Sequence, residues 1–166
     1  MAVLEILKFP NPRLRIKAQT IATITTTLRQ QIADMYETMY ASKGVGLAAT
    51  QVDIHHQVFV MDVSEAHNQP ICVINPEIFY QEGSQYEGEG CLSVNAAFDK
   101  VKRSKIVHLR GLDVNGEKFE LKAEGLMAVC IQHEIDHLNG ILFIDHLSRL
   151  KQERIKAKIT KLQRDE

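Results

Sequence analysis

The run Leu126-Met127-Ala128-Val129-Cys130-Ile131 followed by Gln132-His133-Glu134-Ile135-Asp136-His137 constrains this chain more than any other stretch. Six apolar residues lead without a break into an HExxH pattern, so a helix here must be buried on more than one face. Positions i and i+4 of a helix lie one above the other. His133 and His137 can therefore offer two imidazole nitrogens to one metal ion. Glu134 lies about 100° round the helix, where its carboxylate can reach a water on that metal without ligating the ion itself. Buried histidines and a buried glutamate need partners, and a divalent metal with an open position supplies them while lowering the pKa of water towards neutrality.

A length of 166 residues suits one domain over 1–166 with a sizeable core. With 45% apolar and 25% charged residues the composition is that of a globular protein, and a net charge of −1 does not point to a nucleic-acid binder. The opening Met-Ala-Val-Leu-Glu-Ile-Leu-Lys lacks a basic region followed by a long apolar one, so no signal peptide is expected. No apolar run approaches a membrane span. Three scattered cysteines do not form a disulfide framework, and a reducing cytoplasm fits them best.

In chain order, residues 3–24 read as an extended arm over the core, with Pro10 and Pro12 in turns. Leu28, Ile32, Met35, Tyr36, Met39 and Tyr40 then recur at helical spacing, behind threonines that can cap. That helix should reach about Ser42 and stop at Gly44, its Met and Tyr stripe serving as core. Gly44-Val45-Gly46-Leu47-Ala48-Ala49-Thr50-Gln51 reads on its own as a tight turn that another backbone could approach. Gln51 ends it with an amide able to donate to a reacting oxygen. Gln57–Val63 and Ile71–Ile74 read as strands, His55-His56 as a solvated turn, Cys72 as core, and residues 81–90 as loop. Lys105–Val114 and Glu117–Ala123 flank Asn115-Gly116 and form a hairpin with an expected type I′ turn. The metal helix should begin near Gly125 and end at Asn139-Gly140. A last helix over 148–164, capped by Ser148, turns Ile155, Ile159 and Leu162 to one face. It carries seven basic residues and one acidic residue, Glu153.

Two histidines rarely complete a metal site, so the third donor decides the chemistry. The pattern HExxHxxGxxH is closed off: Gly140 fits, but the final His is Phe143, and no methionine follows Met127. Glu153, the one downstream acid at suitable range, sits in a basic helix where ordinary ion pairs satisfy it. Cys130 lies about 10 Å along the axis from His137, too far for a short side chain to share an ion with both histidines, and belongs to the pocket or core. Cys91 remains. It follows Gly90, which lets backbone approach closely, and its thiolate with two neutral imidazoles leaves one position open. The N–H of Leu92 would point near that position.

With these stretches together the chain resembles the bacterial peptide deformylases. GxGxAAxQ is met by Gly44, Gly46, Ala48, Ala49 and Gln51; EGCxS by Glu89, Gly90, Cys91 and Ser93; HExxH by His133, Glu134 and His137. The resemblance extends over nearly the entire chain. It implies an α+β fold in which the metal-bearing HExxH helix packs on small, mostly antiparallel sheets, with a C-terminal helix. It implies iron(II), replaceable by nickel, cobalt or zinc, held by Cys91, His133 and His137. It also implies hydrolysis of the formyl group from the N-formylmethionine of new polypeptides, with Glu134 moving the proton and Gln51 and Leu92 N–H meeting the oxyanion. The peptide would run beside Val45-Gly46 and Gly90, with the methionine side chain against Val129, Cys130 and His133. The basic C-terminal helix offers a possible ribosome contact. Two residues depart from the family's commoner pattern, Asn95 where many relatives have proline and Phe98 where several have arginine. The rival readings are a general metallopeptidase and a structural metal site. The latter lacks an obvious fourth ligand, since His146 falls beyond the helix end.

Overall fold

The computed structural model describes residues 2–164. Its central sheet draws strands from both halves of the chain, with the first long helix on one face and the HExxH helix on the other. Thr26–Ala41 forms α1, with the Thr25 hydroxyl accepting from Leu28 N at 3.1 Å. Lys43, at φ 58°, rather than Gly44, takes the left-handed turn after it. Five strands then build an antiparallel sheet: β1 Gly46–Ala48, β2 Val58–Met61, β3 Ile71–Glu82, β6 Ile106–Leu112 and β7 Lys118–Glu124, adjacent in that order. Between them in sequence, β4 Gln85–Cys91 and β5 Val94–Arg103 pair as a separate two-stranded ribbon. Gly125–Leu138 forms α2 and Arg149–Arg164 forms α3.

The central layer explains the apolar runs. All four residues of β2 are buried, because the sheet is covered on both faces. Val58 and Val60 pack on Leu28, Ile32, Met35 and Met39 of α1. Phe59 and Met61, at the alternate positions, meet Ala128, Ile131 and Leu138 of α2. The helix with the HExxH pattern is thus wrapped by sheet, as its unbroken apolar approach requires. A third cluster joins Val94 and Val101 of the ribbon to Leu14 of the arm, Phe143, Leu147 and Ile159.

Several expectations are corrected. Residues 81–90 are mostly strand: β3 runs to Glu82, and β4 resumes at Gln85 after a turn. Glycine and glutamate hide this ribbon, since its strands are largely solvent-facing and held by pairing with β5 rather than by an apolar pattern. The small-residue stretch at 46–52 is an edge strand followed by a 3₁₀ turn, Ala49–Val52. Leu47, Ala48 and Ala49 are fully buried between the two helices, so the small side chains answer to packing. The Asn115-Gly116 hairpin is present, yet only Gly116 has positive φ, at 80°. Gly116 N–H donates to Asp113 O at 3.0 Å, so the connection is a type I turn closed by a left-handed glycine rather than type I′.

In α3, Ile159 is buried and Ile155 packs beside it, whereas Leu162, on the same face, is 47% exposed. Among the described residues no helix is long and apolar enough to cross a membrane. Ile159→Ala should cost about 2–3 kcal/mol in urea unfolding, and Leu162→Ala less than about 0.5 kcal/mol. Equal losses from the two would mean that α3 docks by a different face.

Candidate metal centre

Three elements bring the donors together. α2 presents His133 and His137 one turn apart, with Nε2 atoms 3.1 Å from each other. Cys91 ends β4 at a two-residue turn, Leu92-Ser93, and pairs across it with Val94 of β5. That turn aims its Sγ to within 3.3 Å of His137 Nε2. Donor atoms of Cys91, His133 and His137 all lie within 4.8 Å of one another. Cys130 takes no part: its Sγ faces Val45 O at 3.8 Å, and burial pushes its thiol pKa well up.

The histidine side has a support that sequence reasoning passed over. His133 Nδ1 lies 2.8 Å from Glu89 Oε1, a contact that fixes the ring and turns the Nε2 lone pair to the shared point. Glu89 is in turn gripped by Arg103, Nε to Oε2 at 2.8 Å and Nη2 to Oε1 at 2.9 Å. Both side chains are 4% exposed. Burial alone would raise the Glu89 pKa, but the bonds from Arg103 and His133 outweigh it and hold the carboxyl below its usual range. Arg103 Nη1 also donates to Asp136 at 2.6 Å, tying β5 to α2. A signal for Arg103 existed: it follows Val101 by two on β5, the same inward row, where a charge must have a partner.

Beside the donors lies a cavity of about 540 Å³. Val45, Gly46 and Gln51 border it on one side, Gly90, Leu92 and Phe98 on the other, and Val129 and Cys130 lie along α2. Every expected site residue is therefore at this place. Gly46 is required by its surroundings within the chain. A Cβ on it would sit 2.5 Å from Glu134 Oε2 and 2.8 Å from Cys130 Sγ. The missing side chain makes room for the protein's own carboxylate and thiol.

Glu134 is 4% exposed, and its Oε1 is buried with no hydrogen-bond partner among the described residues. Burial raises its pKa to about 7, which suits a group that must both take and return a proton near neutrality. Gln51 is 2% exposed and its amide is oriented: Oε1 accepts from Ala48 N at 3.0 Å, while Nε2 donates to Ser93 Oγ at 3.1 Å and lies 3.6 Å from Cys91 Sγ. Phe98, opposite Gly90 in the ribbon and 76% exposed, lays its ring over Gly88 at the cavity mouth. Leu126 bounds the mouth on the helix side. One thiolate and two imidazoles on a rigid frame, with a free carboxylate beside them, fit a divalent first-row metal with an open position.

The comparisons agree with this geometry. The family described as polypeptide deformylase matches residues 3–153. The peptide deformylase of Azotobacter vinelandii is 54% identical over 166 residues, covering 99% of this chain and 98% of that protein. That of Acinetobacter baumannii is 51% identical, covering 99% of this chain and 94% of its own. The crystal structure of a peptide deformylase from Legionella pneumophila superposes with a TM-score of 0.94 at 43% identity, covering 98% of this chain and 96% of that one. The Ehrlichia chaffeensis enzyme in complex with actinonin also gives 0.94, at 38% identity and 99% coverage of both chains. With its three donors, its buried carboxylate and its sheet order in place, this chain belongs to the polypeptide deformylase family.

Proposed function

We propose that Cys91, His133 and His137 hold the divalent metal, iron(II) in the cell, and that Glu134, Gln51 and Leu92 act beside it as the chain hydrolyses the formyl group of N-terminal formylmethionine in newly made polypeptides. Nickel, cobalt or zinc suits the same thiolate and imidazole set. The observation that carries the reading is Glu134, a buried carboxylate with an unpartnered oxygen beside three converging donors.

The metal, when bound, supplies Lewis-acid polarisation of water and of the formyl oxygen. Glu134, whose Oε1 has no hydrogen-bond partner among the described residues, takes one proton from the attacking water. As the new C–O bond forms, the formyl C=O becomes an oxyanion. Gln51 Nε2, held on the cavity side by the bond from Ala48 N to its Oε1, is one donor to that oxygen. The N–H of Leu92 is the other. The C–N bond then breaks, Glu134 delivers its proton to the amine, and formate leaves.

Substrate orientation follows from the sheet. β1 pairs only with β2 in its sheet, so its other edge can take an extended peptide as an added strand. Val45 O already accepts from Asp62 N at 2.8 Å, which turns that carbonyl inward. Val129 and Cys130 give the methionine side chain an apolar wall, and an unbranched thioether adapts to it. Phe98 and Leu126 offer apolar contact to the residues that follow. This activity places the chain in the cytoplasm, where new polypeptides emerge. The basic residues of α3 offer a salt-sensitive contact to the acidic surface of a ribosome.

Two substitution pairs test these assignments. Glu134→Gln should keep the metal and lower the kcat for formate release by at least about a hundredfold, because an amide cannot accept the proton. Full turnover in that variant would remove Glu134 from the reaction. Cys91→Ala should lose metal to a chelator far more readily than Cys130→Ala, measured by metal content after dialysis. The reverse ranking would show the third donor to be wrongly chosen.

A further inference from the structure

The arm residues Leu7, Lys8 and Phe9 connect both oxyanion donors assigned above. Leu7 N–H donates to Gln51 O at 2.7 Å, and Phe9 N–H donates to Ser93 O at 2.7 Å. Between them, Lys8 Nζ donates to Leu92 O at 2.6 Å and reaches Asn95 Oδ1 at 3.4 Å. Leu7 and Phe9 pack on the cluster containing Leu14, Val94 and Phe143, which anchors the arm on either side of the lysine. Leu7, Lys8 and Phe9 make these bonds from outside the metal donors, and neither Lys8 nor Asn95 belongs to the three motifs.

Leu92 and Ser93 are the whole of the turn between Cys91 and Val94. A two-residue turn can change its peptide-plane orientations while its ends stay paired. Two of its carbonyls are held from outside, Leu92 O by the ammonium and Ser93 O by Phe9 N–H. Cys91 Sγ accepts from Ser93 N at 3.4 Å on the inner side. The peptide that carries the Leu92 N–H joins the held Leu92–Ser93 peptide through a single Cα. Fixing one plane therefore restricts the other, and an oxyanion donor is effective only when it is aimed before charge develops.

We infer that Lys8 is a positioning residue for deformylation: its ammonium locks the Leu92-Ser93 turn so that the Leu92 N–H is already directed at the developing oxyanion. The inference rests on the roles given to Gln51 and Leu92 above. Lys8 is itself exposed, so its fold contribution is small, and what it changes is the orientation of one peptide. The Asn95 side chain steadies the ammonium from the ribbon, which gives a use to a residue that departs from the family's commoner proline.

The test is steady-state kinetics of the metal-loaded full chain on formyl-Met-Ala-Ser, comparing Lys8→Met, Lys8→Arg and Gln51→Ala. Lys8→Met should lower kcat about fivefold while KM and inhibition by the product Met-Ala-Ser stay within about twofold, because only the transition state uses the donor. Metal content and thermal midpoint should match the parent. Lys8→Arg, which keeps a cationic donor, should restore kcat to within about twofold. Unchanged kcat in Lys8→Met, or a fall accompanied by lost metal or a lowered midpoint, overturns the inference. If Gln51→Ala falls by about a hundredfold while Lys8→Met does not, Lys8 alone is misassigned; if Gln51→Ala keeps full kcat, the oxyanion reading fails and the inference with it.

Discussion

The site depends on one electrostatic requirement: two imidazole nitrogens 3.1 Å apart, with a cysteine sulfur 3.3 Å from one of them, must share something positive. Protons on the imidazoles or a metal ion can meet it, and the donor set is one that a divalent metal fits. The protein prepares the convergence on both sides. Glu89 orients His133, and the buried Arg103 stabilises Glu89 while bonding Asp136 on the metal helix. A buried guanidinium with two carboxylate partners is costly to break, since losing one partner leaves the other charge stranded. The ligand geometry is therefore tied to the attachment of the ribbon to α2, and the ribbon also carries Cys91.

The same requirement accounts for small residues that have no chemistry of their own. Gly46 lies where any side chain would strike Glu134 and Cys130, so β1 can pass close over α2 only as glycine. Leu47, Ala48 and Ala49 continue the close packing between α1 and α2 and deliver Gln51 to the cavity. The Glu134 carboxylate is thus enclosed by backbone on one side and by its helix on the other. That enclosure raises its pKa to about 7 and leaves an oxygen without a partner among the described residues.

Much of this was legible in the residues. The apolar approach to HExxH required a wrapped helix, and the i, i+4 histidines with the elimination of Phe143, Glu153 and Cys130 pointed to Cys91, whose Sγ converges with both imidazoles. Period and capping marked α1 and α2 to within a residue or two. The ribbon was not legible, because β4 consists largely of Gly, Glu and Gln and becomes a strand only by pairing with β5. The Glu89–Arg103 pair went unread with it: the alternation of Val101 and Arg103 marks an inward row only once 94–103 is recognised as a strand, and its partner Glu89 lies in the strand that Gly and Glu hide. Helical spacing put Leu162 on one face with Ile155 and Ile159, but spacing alone cannot say how much of an apolar stripe a short partner surface will cover.

The central claim, that one metal on Cys91, His133 and His137 turns this cavity into a deformylase, is most directly tested by titrating metal-free chain with iron(II) under anaerobic conditions. Formate release from formyl-Met-Ala-Ser and protein-bound iron should be followed in the same samples. No release is expected without metal; with it, release should rise in proportion to bound iron and level off at one ion per chain, with no cleavage of the Met-Ala bond. Formate release by the metal-free chain at the same rate, or activity that continues to rise beyond one bound ion, would contradict it.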